Sequence, residues 1–336
     1  MNTAAHEQEN SMKAYSAMPA KIYLHQHPEF SDLIRVVAGE KNIDPYLAEK
    51  DYWLMHCLYG LKKAGYDFQL KGGTSLSKGY GIIHRFSEDI DIQITPLESL
   101  NVRTSRNHDK GKDRQGRKDY YDYLAAHIRI DGIVKVVRDT DFDSLPKYYS
   151  GGIRLHYEAK FSSDGSAKEG ILLEVGFDAM TPNQPLNIGS WALRRALEAK
   201  LDVTDNTALQ IPCYDPAYTL VEKLQAVVTK HRNLQEKGGA FPTNFMRHYY
   251  DIYCLLQNDH VQSFIGSPEY LAHKKRRFPA ADQQAPLSEN EAFLLHDEGK
   301  KALYKKEYER RASLYYQGQP PFEEVLTVIQ KNLRRL

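Results

Sequence analysis

The stretch Phe68-Gln69-Leu70-Lys71-Gly72-Gly73-Thr74-Ser75-Leu76-Ser77-Lys78, followed by Arg85-Phe86-Ser87-Glu88-Asp89-Ile90-Asp91-Ile92-Gln93-Ile94, decides how this chain folds. Its periodicity predicts a short strand, a Gly-Gly turn, one or two helical turns and a second strand. Side chains alternate along the second strand, so Asp89, Asp91 and Gln93 share one face while Ile90, Ile92 and Ile94 share the other. The isoleucine face implies packing on a core. Residues two apart on a strand lie roughly 6.5–7 Å apart, close enough for Asp89 and Asp91 to hold divalent ions. Carboxylates about 6 Å apart repel by about 3 kcal/mol at an effective dielectric near 20, and a cation offsets that repulsion. Gly72 and Gly73 let the backbone approach a ligand, and Thr74-Ser75 opens a helix whose free N–H groups suit phosphate. An isolated Asp-x-Asp is most often a solvated strand face. Preceded by a glycine corner, it points to metal-assisted nucleotide chemistry.

At these residues Gly72-Gly73-Thr74-Ser75 followed by Glu88-Asp89-Ile90-Asp91-Ile92 resembles the polymerase-beta-like nucleotidyltransferase signature. The fuller string from Lys71 to Lys78, with Arg85-Phe86-Ser87-Glu88-Asp89-Ile90-Asp91, is similar to the AbiEii toxins of type IV toxin–antitoxin systems, including the MenT group. The resemblance implies a magnesium-dependent transferase, with Mg2+ in a two-metal site and an NTP as substrate. It puts Gly72, Gly73, Thr74, Ser75 and Lys78 at the nucleotide. It also implies growth arrest or phage defence through modification of RNA, at the tRNA 3′ end, countered by an antitoxin protein encoded nearby.

Composition sets outer bounds. With 336 residues, the chain can bury a core of one large or two modest domains. The formal net charge is +1, so any basic surface for nucleic acid must be local. Cys57, Cys213 and Cys254 are scattered and odd in number, which disfavours structural zinc and a disulfide scaffold and suits a reducing cytoplasm. No apolar run long enough to span a membrane and no signal-like segment is expected. HExxH, GxSxG and Walker A strings do not occur.

Along the chain, residues 1–20 read as a polar arm. A helix is expected from Pro28 with a stop at Gly39, and another from Asp44-Pro45, with Asp44 as N-cap, to about Gly65. The second contains Glu49-Lys50-Asp51-Tyr52-Trp53, which reads as a charged face of an amphipathic helix. The family resemblance instead suggests that Lys50 or Asp51 lies near the nucleotide. The basic stretch 101–119 is either a loop or the charged start of a helix through Tyr120–Ile130, able to contact an RNA backbone or simply to face water. Strands are expected at Val134–Arg138, Gly152–Phe161 and Ile171–Asp178. In the last, Glu174 is the preferred third carboxylate, with Asp178 as its alternative.

Beyond Pro182–Pro185 the composition becomes helical. Asp215-Pro216 starts a helix that carries Glu222-Lys223. The resemblance makes Lys223 a contact to the nucleotide phosphates, with Lys230 the nearby alternative, and carries Asp251 over as an acid serving the active site. Read without it, Lys223 is an exposed lysine and Asp251 pairs with Arg247 one turn before it. His273–Arg277 is the densest basic run, and Leu287–Tyr316 reads as one long helix. The expected fold is α/β (α+β): a helical lead-in over 1–66, a small mixed sheet over 67–190 and a mostly helical half over 191–336. Two other activities fit the residues: an NTP-binding regulator without turnover, and a transferase that modifies protein hydroxyls.

Overall fold

Apolar residues at helical spacing form α1 (Phe30–Lys41), which runs through Gly39 and stops at Asn42 in the left-handed conformation (φ 52°). α2 (Pro45–Lys63) starts as its sequence dictates, with the Asp44 carboxylate accepting the Tyr46 N–H at 2.7 Å. The computed structural model describes residues 21–162, 169–178, 181–238, 240–242 and 244–336, so the expectation for 1–20 lies outside the described residues. α2 is buried on nearly every side, Glu49, Lys50 and Asp51 included, which overturns the reading of a solvated charged face. Each acid has partners that the local sequence does not reveal. Glu49 accepts the backbone N–H groups of Lys160 and Phe161, and Asp51 accepts that of Trp191 at 2.8 Å.

β1 (Phe68–Lys71) leads into a single helical turn, α3 (Gly72–Thr74), then a π-helical turn over Ser75–Gly79, and returns as β2 (Asp89–Ile94). α4 (Gly111–His127) follows, so the basic stretch is a loop that passes into the start of a helix. The three expected strands are present as β3 (Ile133–Asp139), β4 (Ser150–Tyr157) and β5 (Ile171–Gly176). Two more were not expected. β6 (Asn183–Ile188) and β7 (Ala208–Tyr214) flank α5 (Trp191–Glu198), and β7 runs parallel beside β1. The sheet therefore crosses the boundary expected at 190/191.

The seven-stranded mixed sheet has the order β3-β4-β5-β2-β1-β7-β6. Its centre pairs β2 with β5 in parallel and β2 with β1 antiparallel. Such central strands are covered on both faces and read as near-continuous apolar runs, as in Ile171-Leu172-Leu173. An acid within them is conspicuous.

The helical half comprises α6 (Pro216–Lys237), α7 (Arg247–Leu255), α8 (Asp259–Phe264), α9 (Pro268–Arg277), α10 (Glu291–Leu294), α11 (Glu298–Glu309) and α12 (Phe322–Asn332). Asp215 caps α6 through the Ala217 N–H at 2.7 Å. The single helix expected over Leu287–Tyr316 is broken. Leu295 turns left-handed (φ 48°), and Asp297 restarts the chain by capping α11 at Lys300. One apolar cluster runs from Leu24 to Leu336 and joins sheet and helices. Among the described residues, no helix is long and apolar enough to cross a membrane.

Candidate active site

Strand register assembles the site. Lys71 on β1 lies opposite Asp91 on β2, and Asp91 lies beside Glu174 on β5. Register partners share a face, so Lys71, Asp91 and Glu174 form one row across three strands, with Asp89 and Gln93 on the same side. The alternation expected for β2 holds, with Ile90 and Ile92 fully buried on the opposite face. The glycine corner is shaped around the acids. Gly72 has φ +68°, and a methyl group built on it would stand 2.0 Å from Asp91 Oδ2. On Gly73, a methyl group would stand 2.6 Å from Ser87 Oγ. Thr74 Oγ1 donates to the Asp89 carbonyl at 2.6 Å, tying the corner to the acid strand.

The acids resist ionisation. Burial pushes Asp89 up to about 6, with Asp91 and Glu88 adding repulsion. Burial, then Asp91 and Asp89, push Glu174 up to about 8. Asp91 is raised by burial as well, although Lys71, Lys223 and Arg85 pull it back. Register neighbours on adjacent strands are about 5 Å apart, where like charges repel by about 3 kcal/mol at an effective dielectric near 20.

Cations come from elsewhere in the chain. Asp251 on α7 is fully buried and accepts two bonds from Arg85, each 2.7 Å, and one from Lys223 at 2.9 Å. Burial opposes its charge, but Arg85 and Lys223 hold the carboxyl well below the usual carboxylate range. It is not paired with Arg247, which pairs with Glu88 instead. Lys223 therefore stands between Asp251 and Asp91, on which it acts electrostatically. Lys230, two turns further along α6, contacts His248 Nε2 at 2.8 Å and acts on Glu174. Lys50 is buried beside Tyr46, its Nζ 3.3 Å from the hydroxyl, and acts on Glu88 and Asp89.

Not every expected residue reaches the row. Lys78 is buried, ion-paired with Asp51, and lies 3.7 Å over the Trp191 ring, so its charge is committed away from the acids. The Ser75 hydroxyl is buried and lies against the Cys213 thiol, which leaves the backbone rather than the side chains of Thr74 and Ser75 for a ligand. Asp178 lies past the end of β5 and pairs with Arg277. The two basic runs meet beyond β2. Arg106, 73 % exposed, and Arg276 and Arg277 of α9 line a cleft of about 580 Å3 that also contains Gln93 and Asp178. Within the basic loop, Arg117 is structural, donating to the carbonyls of Lys147, Arg103 and His108.

Sequence reasoning missed Lys71 and Arg85. A lysine ending an apolar strand at a glycine pair was a visible signal for the first. For Arg85 no local signal existed, because its partner is 166 residues away. Asp89 and Asp91 fit a magnesium ion, which is commonly held by one or two carboxylates together with substrate phosphates. The Gly72 notch that accommodates the Asp91 carboxylate and the raised affinity of both acids for protons agree with that donor set. Among the described residues, however, no three His, Cys, Asp or Glu side chains are grouped to hold one ion.

The family profile described as "Nucleotidyl transferase AbiEii toxin, Type IV TA system" matches residues 56–328. Among curated proteins none matches. Solved structures with similarity include an antigenic nucleotidyltransferase-like protein from Paracoccidioides brasiliensis, 12 % identical, covering 69 % of this chain and 95 % of that one with a TM-score of 0.32. Another is terminal uridylyl transferase 4 from Trypanosoma brucei with bound dUTP, 13 % identical, covering 75 % of this chain and 69 % of that one with a TM-score of 0.28.

Proposed function

Because this chain belongs to the AbiEii family of nucleotidyl transferase toxins, we propose that it moves a nucleoside monophosphate from an NTP to an acceptor hydroxyl of RNA, at the tRNA 3′ end. The observation that carries the reading is the row of proton-retaining carboxylates at a glycine corner, faced by Lys223. The acceptor oxygen bonds to the α-phosphorus while the bond to pyrophosphate breaks, and the hydroxyl proton goes to solvent. Asp89 and Asp91 hold the magnesium ion, which when bound neutralises phosphate charge and lowers the pKa of the attacking hydroxyl. The backbone of Gly72, Gly73, Thr74 and Ser75 is the surface against which the triphosphate rests.

Lys223 supplies a fixed positive charge to the phosphates, and Asp251 positions it without touching substrate. Arg85, held on the same carboxylate, keeps that arrangement rigid. Lys230 and Lys50 add charge at the two ends of the acid row. As in its family, a separately encoded antitoxin opposes the activity.

The experiment is direct. Purified protein with labelled NTPs, Mg2+ and total tRNA labels RNA, and Asp89→Ala and Asp91→Ala abolish labelling while retaining a folded thermal transition. Label in protein instead of RNA, or NTP binding without pyrophosphate release, refutes the RNA-transferase reading.

A further inference from the structure

The row at β1, β2 and β5 contains a feature that a two-ion site does not need. Lys71 leaves β1 opposite Asp91, yet its ammonium nitrogen lies across β2 over β5, where a methyl group built on Gly176 would stand 4.0 Å from it. Gly176 is the partner of Gln93, so the side chain runs diagonally over β2 from the row of Asp91 to the next one on that face. Strands β1 and β5 are two spacings apart, about 9.5 Å, a distance that an extended lysine covers only if nothing projects from β5 beneath its tip. The absence of a side chain at Gly176 provides that room.

The ammonium is thereby set near both acids of the row. Of the cations around Asp91 and around Glu174, Lys71 is the strongest compensating charge on each. Lys230 adds a second positive charge on Glu174. Asp91 meanwhile leans the other way, its Oδ2 filling the notch at Gly72. The two carboxylates that a second ion would have to bridge are thus already served from within the chain. The lack of any three-acid group fit for one ion among the described residues agrees with this.

We infer that Lys71 takes the place of a second metal ion at the Asp91–Glu174 end of the row. The transferase reading above, on which this rests, then operates with one ion, held by Asp89 and Asp91. Glu174 is a partner of Lys71 and not a metal ligand, which departs from the two-ion site expected from family resemblance. A fixed ammonium keeps its charge and position irrespective of free metal concentration, so half of the site is preorganised before nucleotide arrives.

The test counts ions. Protein is titrated with Mn2+ in the presence of saturating α,β-methylene nucleoside triphosphates, and free Mn2+ is read by electron paramagnetic resonance. One ion per bound nucleotide is expected, and two in the unaltered protein overturn the inference while leaving the transferase reading intact. Glu174→Gln is expected to keep one ion with affinity changed by less than about threefold, whereas a fall of about tenfold or more, as on removing a ligand, makes Glu174 a ligand and overturns it. Lys71→Met, which keeps the side chain's length, is expected to admit a second ion. A count that stays at one in a folded Lys71→Met variant also overturns it. Failure to bind any nucleotide refutes the transferase reading itself, and this inference with it.

Discussion

Replacing Asp251 by asparagine isolates the contact that joins the two halves of the site. The carboxylate is fully buried and accepts three charge-assisted bonds, two from Arg85 and one from Lys223, at 2.7 to 2.9 Å. Asparagine keeps the volume but leaves two cations without their counter-charge, and breaking a buried pair in this way destabilises by about 3–5 kcal/mol. For 336 residues the unfolding entropy is about 0.7 kcal/mol per degree, so the midpoint falls by about 4–7 °C. The sign with pH is fixed. Asp251 is held ionised well below its unfolded pKa, so its stabilisation is complete above that value, about 4, and disappears only as pH falls through the lower folded value. The melting deficit of Asp251→Asn is therefore constant from about pH 5 to 8 and shrinks in stronger acid. Differential scanning calorimetry across that range measures it. Asp89→Asn gives the opposite result, since it removes a carboxylate that burial and Asp91 already disfavour: the metal-free protein melts at or above the wild-type temperature. An Asp251→Asn protein that melts with the wild type, or an Asp89→Asn protein that melts several degrees lower, refutes the reasoning.

Three further outcomes follow from the same geometry. Glu174, with its pKa raised to about 8, binds its proton in the folded chain where the unfolded chain has released it, so metal-free stability falls as pH rises from about 7 to 8.5; calorimetry shows the slope, and Glu174→Gln removes it. Gly72→Ala puts a methyl group where the Asp91 carboxylate lies and forces alanine to positive φ, so labelling of RNA falls by about a hundredfold or more while stability falls by about 1–2 kcal/mol. Arg106→Glu combined with Arg276→Glu weakens RNA binding in filter assays and lowers its salt dependence by about 0.7 for each phosphate no longer neutralised, with NTP affinity unchanged.

Much of the site could be read from β2 and the corner before it. Alternation fixed the faces of Asp89 and Asp91, and Asp44 and Asp215 each cap the helix expected of them. What escaped reading depends on distant partners. β6 and β7 face each other at Pro185 and Pro212, two residues that argue against a strand because neither donates to a ladder. Glu49, Lys50 and Asp51 looked like a solvated face because nothing local shows that the amides of Lys160, Phe161 and Trp191 come to meet the two acids. The likeness of Lys78 to a phosphate-binding lysine held only until Asp51 and Trp191 surrounded it. Arg85 and Asp251 are individually ordinary, and only the docking of α7 against the loop before β2 makes them one unit.

That loop is also gripped from the far side of the molecule. The Phe86 N–H donates to the Leu314 carbonyl at 2.7 Å, the Tyr316 N–H to the His84 carbonyl at 3.2 Å, and the Tyr316 hydroxyl to the Ile83 carbonyl, across 233 residues. A polypeptide emerging from the ribosome would therefore have made both aspartates long before anything secures the arginine next to them. Competence must await the closing of these distant contacts, so synthesis and catalysis are separated in time by the order in which the molecule can be knitted together.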